Sequence, residues 1–451
     1  MTTLKSGPGS EASDPGPVLG VNYAEMPYWW CAARPETSSG AEEVSGTVDV
    51  AIVGSGVTGS VAALELARAG ASVVVFDMQE VGEGAARRNA GFLGRTLKRT
   101  LHWLDQRHGP AYADAVYREL DEALRELTAL VAAENIDCCR QTCGRVISAN
   151  SEAHLRLLIA DLQHMKDRLG FEFEPLGPAD MRREIASEAY VGGAVLPELG
   201  SIHPGLYHQG LVHAARGAGV RYLPRTEVQR IEAGDGLKTM RTSRGELRAR
   251  HVVVATNGYT SLSLGWFARR VIPFRGFVIT TELLAPELIA KVLPHGRTYL
   301  DTRLNIDFLR PAPDSSRIIF GGMTGSAARS ARSLAAELHG RLVRILPDLA
   351  GAKVEFGWTG YCAGTFDFMP HIGLHSGVHF AMGYNFAGMP IGTLFGRKLA
   401  RKILGRPGAT SIFEQSPFPT AALYRGRPWF VPLAMRFFDW QDARLARRRV
   451  G

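Results

Sequence analysis

Apolar positions cluster first in VDVAIV (48–53), a run of strand length. The next stretch, VTGSVAALELARAG (57–70), spaces its apolar residues as a helix does and closes on Gly70, a helix-stop signal. ASVVVFD (71–77) returns to a buried-strand pattern and ends on Asp77. The pattern predicts strand, helix and strand within about thirty residues, a βαβ unit. Farther on, ADAVYRELDEALRELTALVAAEN (113–135) aligns Leu120, Leu124, Leu127 and Val131 on one helix face. EAHLRLLIADLQHMKDRL (152–169) predicts another helix. RARHVVVATNGYT (248–260) reads as a buried strand closing on a polar turn, and HFAMGYNFAGMPIGTLFGRKLARKILG (379–405) as strand, glycine-rich turn and helix.

Between the first strand and helix, VGSGVTGS (53–60) sets Gly54, Gly56 and Gly59 in G-x-G-x-x-G spacing. Glycines so placed allow a tight turn, backbone approach to a pyrophosphate, and close packing of the helix. The helix N-terminus then presents free N–H groups and its positive dipole end to the phosphates. Asp77, at the end of the second strand, suits a ribose hydroxyl. NAD and FAD both remain open at this point. Regular βαβ units do not follow; a second glycine-rich loop does, VGEGAARRNAGFLG (81–94), whose small residues let backbone approach a large flat cofactor. A cofactor served by both ends of the chain is more like FAD than NAD.

Composition narrows the class without naming it. The 451 residues suffice for two or three folding units, and 45% hydrophobic with 21% charged residues is an ordinary globular balance. No window offers about eighteen unbroken apolar residues, so no transmembrane segment is expected. The N-terminal MTTLKSGPGSEASDPGPVLG lacks the apolar core of a secretory signal. A disordered tail over 1–21 and a cytoplasmic protein are expected. The net charge is +8, but the basic residues are scattered, which disfavours nucleic acid as a partner. Cys31, Cys138, Cys139, Cys143 and Cys362 show no metal-site spacing, so no metal and reduced thiols are expected.

Five segments, in their order along roughly residues 22–405, resemble the FAD-dependent amine and amino-acid oxidoreductases typified by glycine oxidase and D-amino-acid oxidase. They are the loop at 54–59, GEGAARRNAG (82–91), TEVQRIE (226–232) with VVVATNGY (252–259), WTGYCAGTFDFMPHIG (358–373) and GYNFAGMPIG (383–392). NYAEMPYWW and VIPFRGFVITTELL (271–284) look most like the branch containing gamma-glutamylputrescine oxidase. The resemblance implies an α/β fold with α+β elements. A Rossmann-like FAD-binding domain (22–100, 200–265, 355–405) would interleave with an antiparallel-sheet substrate domain (101–199, 266–354), followed by a C-terminal extension (406–451). It also implies FAD, expected to be non-covalent because only Cys362 stands in a segment suited to attachment. The nucleotide half would be held by Gly54, Gly56, Val57, Thr58, Gly59, Asp77, Met78, Val228, Ala255, Thr256 and Asn257. The flavin half would be held by Gly84, Ala85, Arg88, Asn89, Gly91, Phe92, Gly383, Asn385, Gly388, Met389 and Pro390.

The implied reaction is oxidation of an amine C–N bond by hydride transfer to flavin N5, with O2 or another acceptor taking the electrons and water hydrolysing the imine. The helix expected at 389–404 would aim its dipole at the flavin N1/O2 edge. The substrate sheet would use 298–311 and 316–322, and Phe308, Arg310, Tyr361, Cys362 and Asn385 are the pocket candidates. Glycine oxidase-like relatives carry a carboxylate-gripping arginine where Cys362 stands. Its loss moves the expected substrate from α-amino acids to amines, unless Arg275 or Arg310 substitutes. Residues 298–352 hold no lysine of the kind some family oxidases use with oxygen. An amino-acid oxidase or dehydrogenase, or a flavin subunit working with a partner, are the competing readings. At the C-terminus, Trp429, Leu433, Phe437 and Trp440 share one face. Packing of that face on the protein's own core is expected, with Pro432 as an interruption and an amphipathic helix for a membrane surface or a partner as the alternative.

Overall fold

Val50, Ala51, Ile52 and Val53 are buried on both sides of their strand, as are all four residues of Val73–Phe76. Strands that read as unbroken apolar runs belong inside a parallel sheet covered on both faces. In the computed structural model, which describes residues 18–39, 42–95, 97–234 and 236–447, they form its centre. Thr47–Val53 pairs in parallel with Val73–Phe76 on one side and Gly245–Val254 on the other. Arg221–Leu223 and Val378–Met382 extend the parallel part. Gly245–Val254 is shared between two environments. Its first residues pair antiparallel with Lys238–Thr242, and its last three pair with Val378–Phe380.

Two helices lie together against this eight-stranded sheet. Val57–Arg68 and Gly388–Ile403 approach closely because Gly392 and Gly396 face Thr58 and Val61; a Cβ on Gly396 would stand 2.7 Å from the Thr58 carbonyl oxygen. Pro110–Ala133 packs on Gly388–Ile403 in turn. Leu120 and Leu127 are buried there, with Leu124 and Val131 partly buried beside them.

The second sheet has nine strands, in the order Leu19–Ala24, Val354–Gly364, Ile272–Thr281, Ile318–Gly322, Phe308–Pro311, Thr298–Asp301, Arg145–Ala149, Gly192–Leu196 and Glu174–Leu176. It is antiparallel except where Leu19–Ala24 meets Val354–Gly364 and Thr298–Asp301 meets Arg145–Ala149. The strands expected within 298–311 and 316–322 are adjacent in it.

Three expectations need amendment. Of the tail expected over 1–21, residues 1–17 lie outside the described residues, and the strand Leu19–Ala24 already occupies the rest. Val354–Gly364 lies in the nine-stranded sheet while Pro110–Ala133 packs on Gly388–Ile403 against the eight-stranded one, so the chain crosses between the two sheets' sides at points the sequence blocks did not mark. At the C-terminus, Pro432 does not interrupt the helix but occupies its first turn in Val431–Ala446, where its missing N–H costs nothing. The helix does fold back, yet Trp429, Leu433, Phe437 and Trp440 are the side that remains exposed.

Candidate active site

Both close-packed helices start at the same cavity. Val57–Arg68 begins after Gly56, and Gly388–Ile403 after Ala387; neither has a side-chain cap or an acidic residue in its first turn. Their orphan N–H groups and positive dipole ends are therefore left to whatever occupies the cavity. The first glycine-rich loop is shaped for such an occupant. Gly54 has φ +104° and lies so near Ala255 that a Cβ would approach its carbonyl oxygen to 2.7 Å. A Cβ on Gly59 would collide with the Gly54 carbonyl oxygen, so Gly59 serves helix packing. Gly56 alone has open space before it and lines the cavity. These are the three glycine roles of a dinucleotide loop.

Asp77 stands at the end of its strand, where Oδ2 accepts from the Ser55 amide at 3.0 Å and the Ser55 hydroxyl at 2.5 Å. Burial raises its pKa against those hydrogen bonds. The loop is braced from behind by a pair the sequence did not reveal. His208 Nε2 donates to the Ser55 carbonyl at 2.6 Å, and Arg87 Nε donates to His208 Nδ1 at 3.0 Å. Burial holds the imidazole neutral, with its pKa pushed down to about 3. Thr58 and Tyr384 join the two helix starts through hydroxyls 2.6 Å apart.

Beyond this cradle the cavity, about 480 Å³, runs to the nine-stranded sheet. That volume is of small-molecule size. Its wall there includes Gly84, Ala85, Arg88, Asn89 and Phe92 from the second loop. The loop is held by Trp29 and Trp358, whose indole N–H groups donate to the carbonyls of Asn89 and Arg88 at 2.8 Å each. Val228, Ala255, Thr256, Asn257, Met78, Met389 and Pro390 also line the cavity, as do Phe308, Tyr361 and Cys362. Tyr361 is oriented by Arg275, which donates to its hydroxyl at 3.0 Å. The Cys362 thiol is pushed up to about 12 by burial and remains neutral.

Four predicted residues do not face the cavity. Gly59 and Gly91 are pressed against backbone, and Gly383 turns its Cα toward Thr365. Arg310 is buried beneath the second loop, where its guanidinium donates to the carbonyls of Pro311, Gly91 and Ile202 at 3.0, 3.2 and 3.1 Å. It is a brace, not a substrate fork. Asn385 does line the cavity, but its amide is spent on its own turn: Oδ1 accepts from the Thr365 amide, and Nδ2 donates to Gly383 and Thr365. That clamp holds Asn385 at φ +47°.

Among the cavity residues that the sequence reading did not single out are Asp301 and Lys98. Asp301 is buried beside Asp307, and burial raises its carboxyl to about 6 despite the adjacent Arg303. Lys98 projects from the segment after the second loop, with Nζ 3.3 Å from the Leu304 carbonyl and 5.3 Å from the centre of the Phe386 ring. Withdrawal from water lowers its ammonium to about 8. Residues 298–352 hold no lysine; the cavity's lysine stands instead in GFLGRTLKRT (91–100), directly after the second glycine-rich loop.

Residues 49–402 match the family model described as DAO, FAD dependent oxidoreductase. Among curated proteins, the gamma-glutamylputrescine oxidoreductase of Escherichia coli K12 is 30% identical over 405 residues, 88% of this chain and 93% of its own. The glycine oxidase of Geobacillus kaustophilus is 25% identical over 393 residues, 82% of this chain and 96% of its own. The solved glycine oxidase from that organism superposes with a TM-score of 0.69 at 23% identity, covering 83% of this chain and 99% of the other, a likeness of fold. The uncapped helix pair, the three glycines and the cavity beyond them suit FAD, and the chain belongs to the FAD-dependent oxidoreductase family.

Proposed function

We propose that this enzyme oxidises the C–N bond of an amine that need not carry an α-carboxylate. The observation that carries the reading is Cys362, neutral and cavity-lining, where the resemblance leads one to expect a carboxylate-binding arginine. The two arginines able to replace it are committed elsewhere, Arg310 to backbone carbonyls and Arg275 to the Tyr361 hydroxyl and the Ala328 carbonyl. Arg88 donates to the carbonyls of Glu83 and Thr359, and Arg145 to Thr298 and the Leu93 carbonyl. The name of the Escherichia coli relative, an oxidoreductase of gamma-glutamylputrescine, also supports an amine.

Bound FAD would supply the two-electron acceptor, its pyrophosphate at Gly56–Val57 and its flavin between the second loop and the start of Gly388–Ile403. The chain's own residues bind and shelter the substrate. Phe308, Leu300 and Ile306 give the wall an apolar surface that excludes water, and Tyr361 is fixed by Arg275. Lys98 places a cation in the same wall. A cation there disfavours the ammonium form of a bound amine, and only the free amine has the lone pair that oxidation requires.

Anaerobic flavin absorbance of the purified holoprotein tests the reading. Putrescine or an N-acylated diamine should bleach the flavin, while glycine, sarcosine and D-alanine leave it oxidised. Rapid reduction by any of those three amino acids would overturn it.

A further inference from the structure

The helix Val431–Ala446 is held on one face and bare on the other. Val431 and Met435 close over Gly325, where a Cβ would meet their side chains at 2.9 and 2.7 Å. Buried Asp442 accepts from the Leu304 amide at 2.8 Å, which fixes the rotation of the helix about its axis. The outward face carries Leu433, Phe437 and Trp440, spaced i, i+4 and i+7, with Trp429 one turn before them. Their exposures are 61%, 52%, 53% and 71%. Phe437 and Trp440 stack on each other at 5.7 Å, and their other ring contacts are to Phe438 of the same helix and to Arg444. A soluble protein gains nothing by orienting two tryptophans, a phenylalanine and a leucine to water along about 16 Å of chain.

The rim of this stripe has one sign. Arg425, Arg427, Arg436, Arg444 and Arg447 are exposed around it, against a single exposed carboxylate in the segment, Asp439. None of the five arginines has an ion-pair partner among the described residues. Arg448 and Arg449 follow in the sequence. A second copy of the chain would bring these like charges together, so the charge pattern disfavours self-association and favours an anionic surface. A convex stripe on a single helix, with tryptophans at its ends and arginines around it, has the form of an interfacial helix rather than a groove for a peptide.

We propose that Val431–Ala446 seats this enzyme on anionic lipid bilayers, with Trp429, Leu433, Phe437 and Trp440 entering the headgroup boundary and the arginines meeting lipid phosphates. The helix leans on the wall of the active-site cavity, since Leu304 bonds both Asp442 and Lys98. Seating the helix therefore brings the cavity wall toward the membrane. The proposal does not depend on which amine is oxidised.

Flotation of the holoenzyme with phosphatidylcholine vesicles, with or without phosphatidylglycerol, tests it. The enzyme should float with the anionic vesicles only, and release as salt rises. The Leu433→Ser, Phe437→Ser, Trp440→Ser triple variant should bind more than about tenfold more weakly. Its substitutions are exposed, so flavin content and Tm should match the parent. Arg436→Glu with Arg444→Glu should abolish the preference for anionic vesicles. Brominated lipid should quench the tryptophan emission of the parent and not that of Trp429→Phe, Trp440→Phe. Failure to float with anionic vesicles, or equal flotation of the triple variant, overturns the proposal. So does a dimer in sedimentation that the triple variant dissolves, because the stripe would then be a contact between copies.

Discussion

The two ends of the cavity are built from different materials. The end proposed to hold the cofactor is backbone: uncapped N–H groups of Val57–Arg68 and Gly388–Ile403, a glycine open to the cavity at Gly56, and glycines that let the segments touch. The end proposed to hold substrate is side chain: Phe308, Tyr361, Cys362, Lys98 and Asp301, delivered by strands and loops far apart in sequence. A backbone site tolerates few changes of geometry and many of neighbouring chemistry. A side-chain site is the reverse, so one fold can keep its cofactor while the substrate changes. Substitutions matched between the two ends should separate these behaviours.

The largest effect belongs to Gly59→Ala. Its Cβ has no room before the Gly54 carbonyl, so helix and strand must part. We expect a loss of about 3 kcal/mol in urea unfolding, with purified protein free of flavin. Retention of yellow colour at parental stability would show that the loop can yield. Arg310→Met should follow. It leaves the carbonyls of Gly91, Ile202 and Pro311 without their donor and should cost about 2–3 kcal/mol of stability. The KM of the folded fraction should be unchanged; a raised KM at parental stability would restore Arg310 as a substrate group.

Gly56→Ala is the counterpart to Gly59→Ala at the same loop. At φ −67° with nothing within 4 Å, an alanine is conformationally acceptable, and its methyl enters only the space reserved for the cofactor. Tm of the apoprotein should be parental and FAD affinity about tenfold weaker, read by fluorescence titration. If both glycines behaved alike, the division between packing and cofactor approach would fail.

The same division explains what the sequence made legible. The strand at 48–53, the helix after it and the glycine spacing were readable because backbone sites impose local rules on neighbouring residues. The helix over 152–169 matched to its ends for a related reason: Ser151 caps it and Gly170 ends it at φ +71°. Arg310 misled because its role depends on carbonyls at 91 and 202, which no local pattern records. Asn385 looked like a substrate group because its amide can reach out, whereas its own turn consumes it. The stripe at 429–440 was visible, but its direction was set by Asp442 reaching Leu304, a contact across more than a hundred residues. Lys98 was hidden by its neighbourhood, since a lysine after a glycine-rich loop reads as surface.

Lys98→Met has the smallest expected effect and bears most directly on the substrate end. The ammonium titrates near 8 instead of 10.5 because water is withdrawn from it, and Asp301 and Asp442 only partly offset that. Below about pH 8 Lys98 is therefore a cation facing the cavity, and it lowers the pKa of an amine bound beside it. Methionine keeps the length and removes the charge, so the acid limb of the kcat profile should move up by about one unit. Above about pH 8 the parental lysine loses its own proton, and the two profiles should converge. The folding cost of the desolvated ammonium is present in full below its folded pKa and fades as pH rises from there toward 10.5. The variant should thus be more stable than the parent at neutral pH and lose that advantage in alkali. Superimposable rate profiles together with the predicted stability crossover would mean that Lys98 lies in the wall without meeting the reacting nitrogen, and the substrate end would then owe its protonation state to the amine alone.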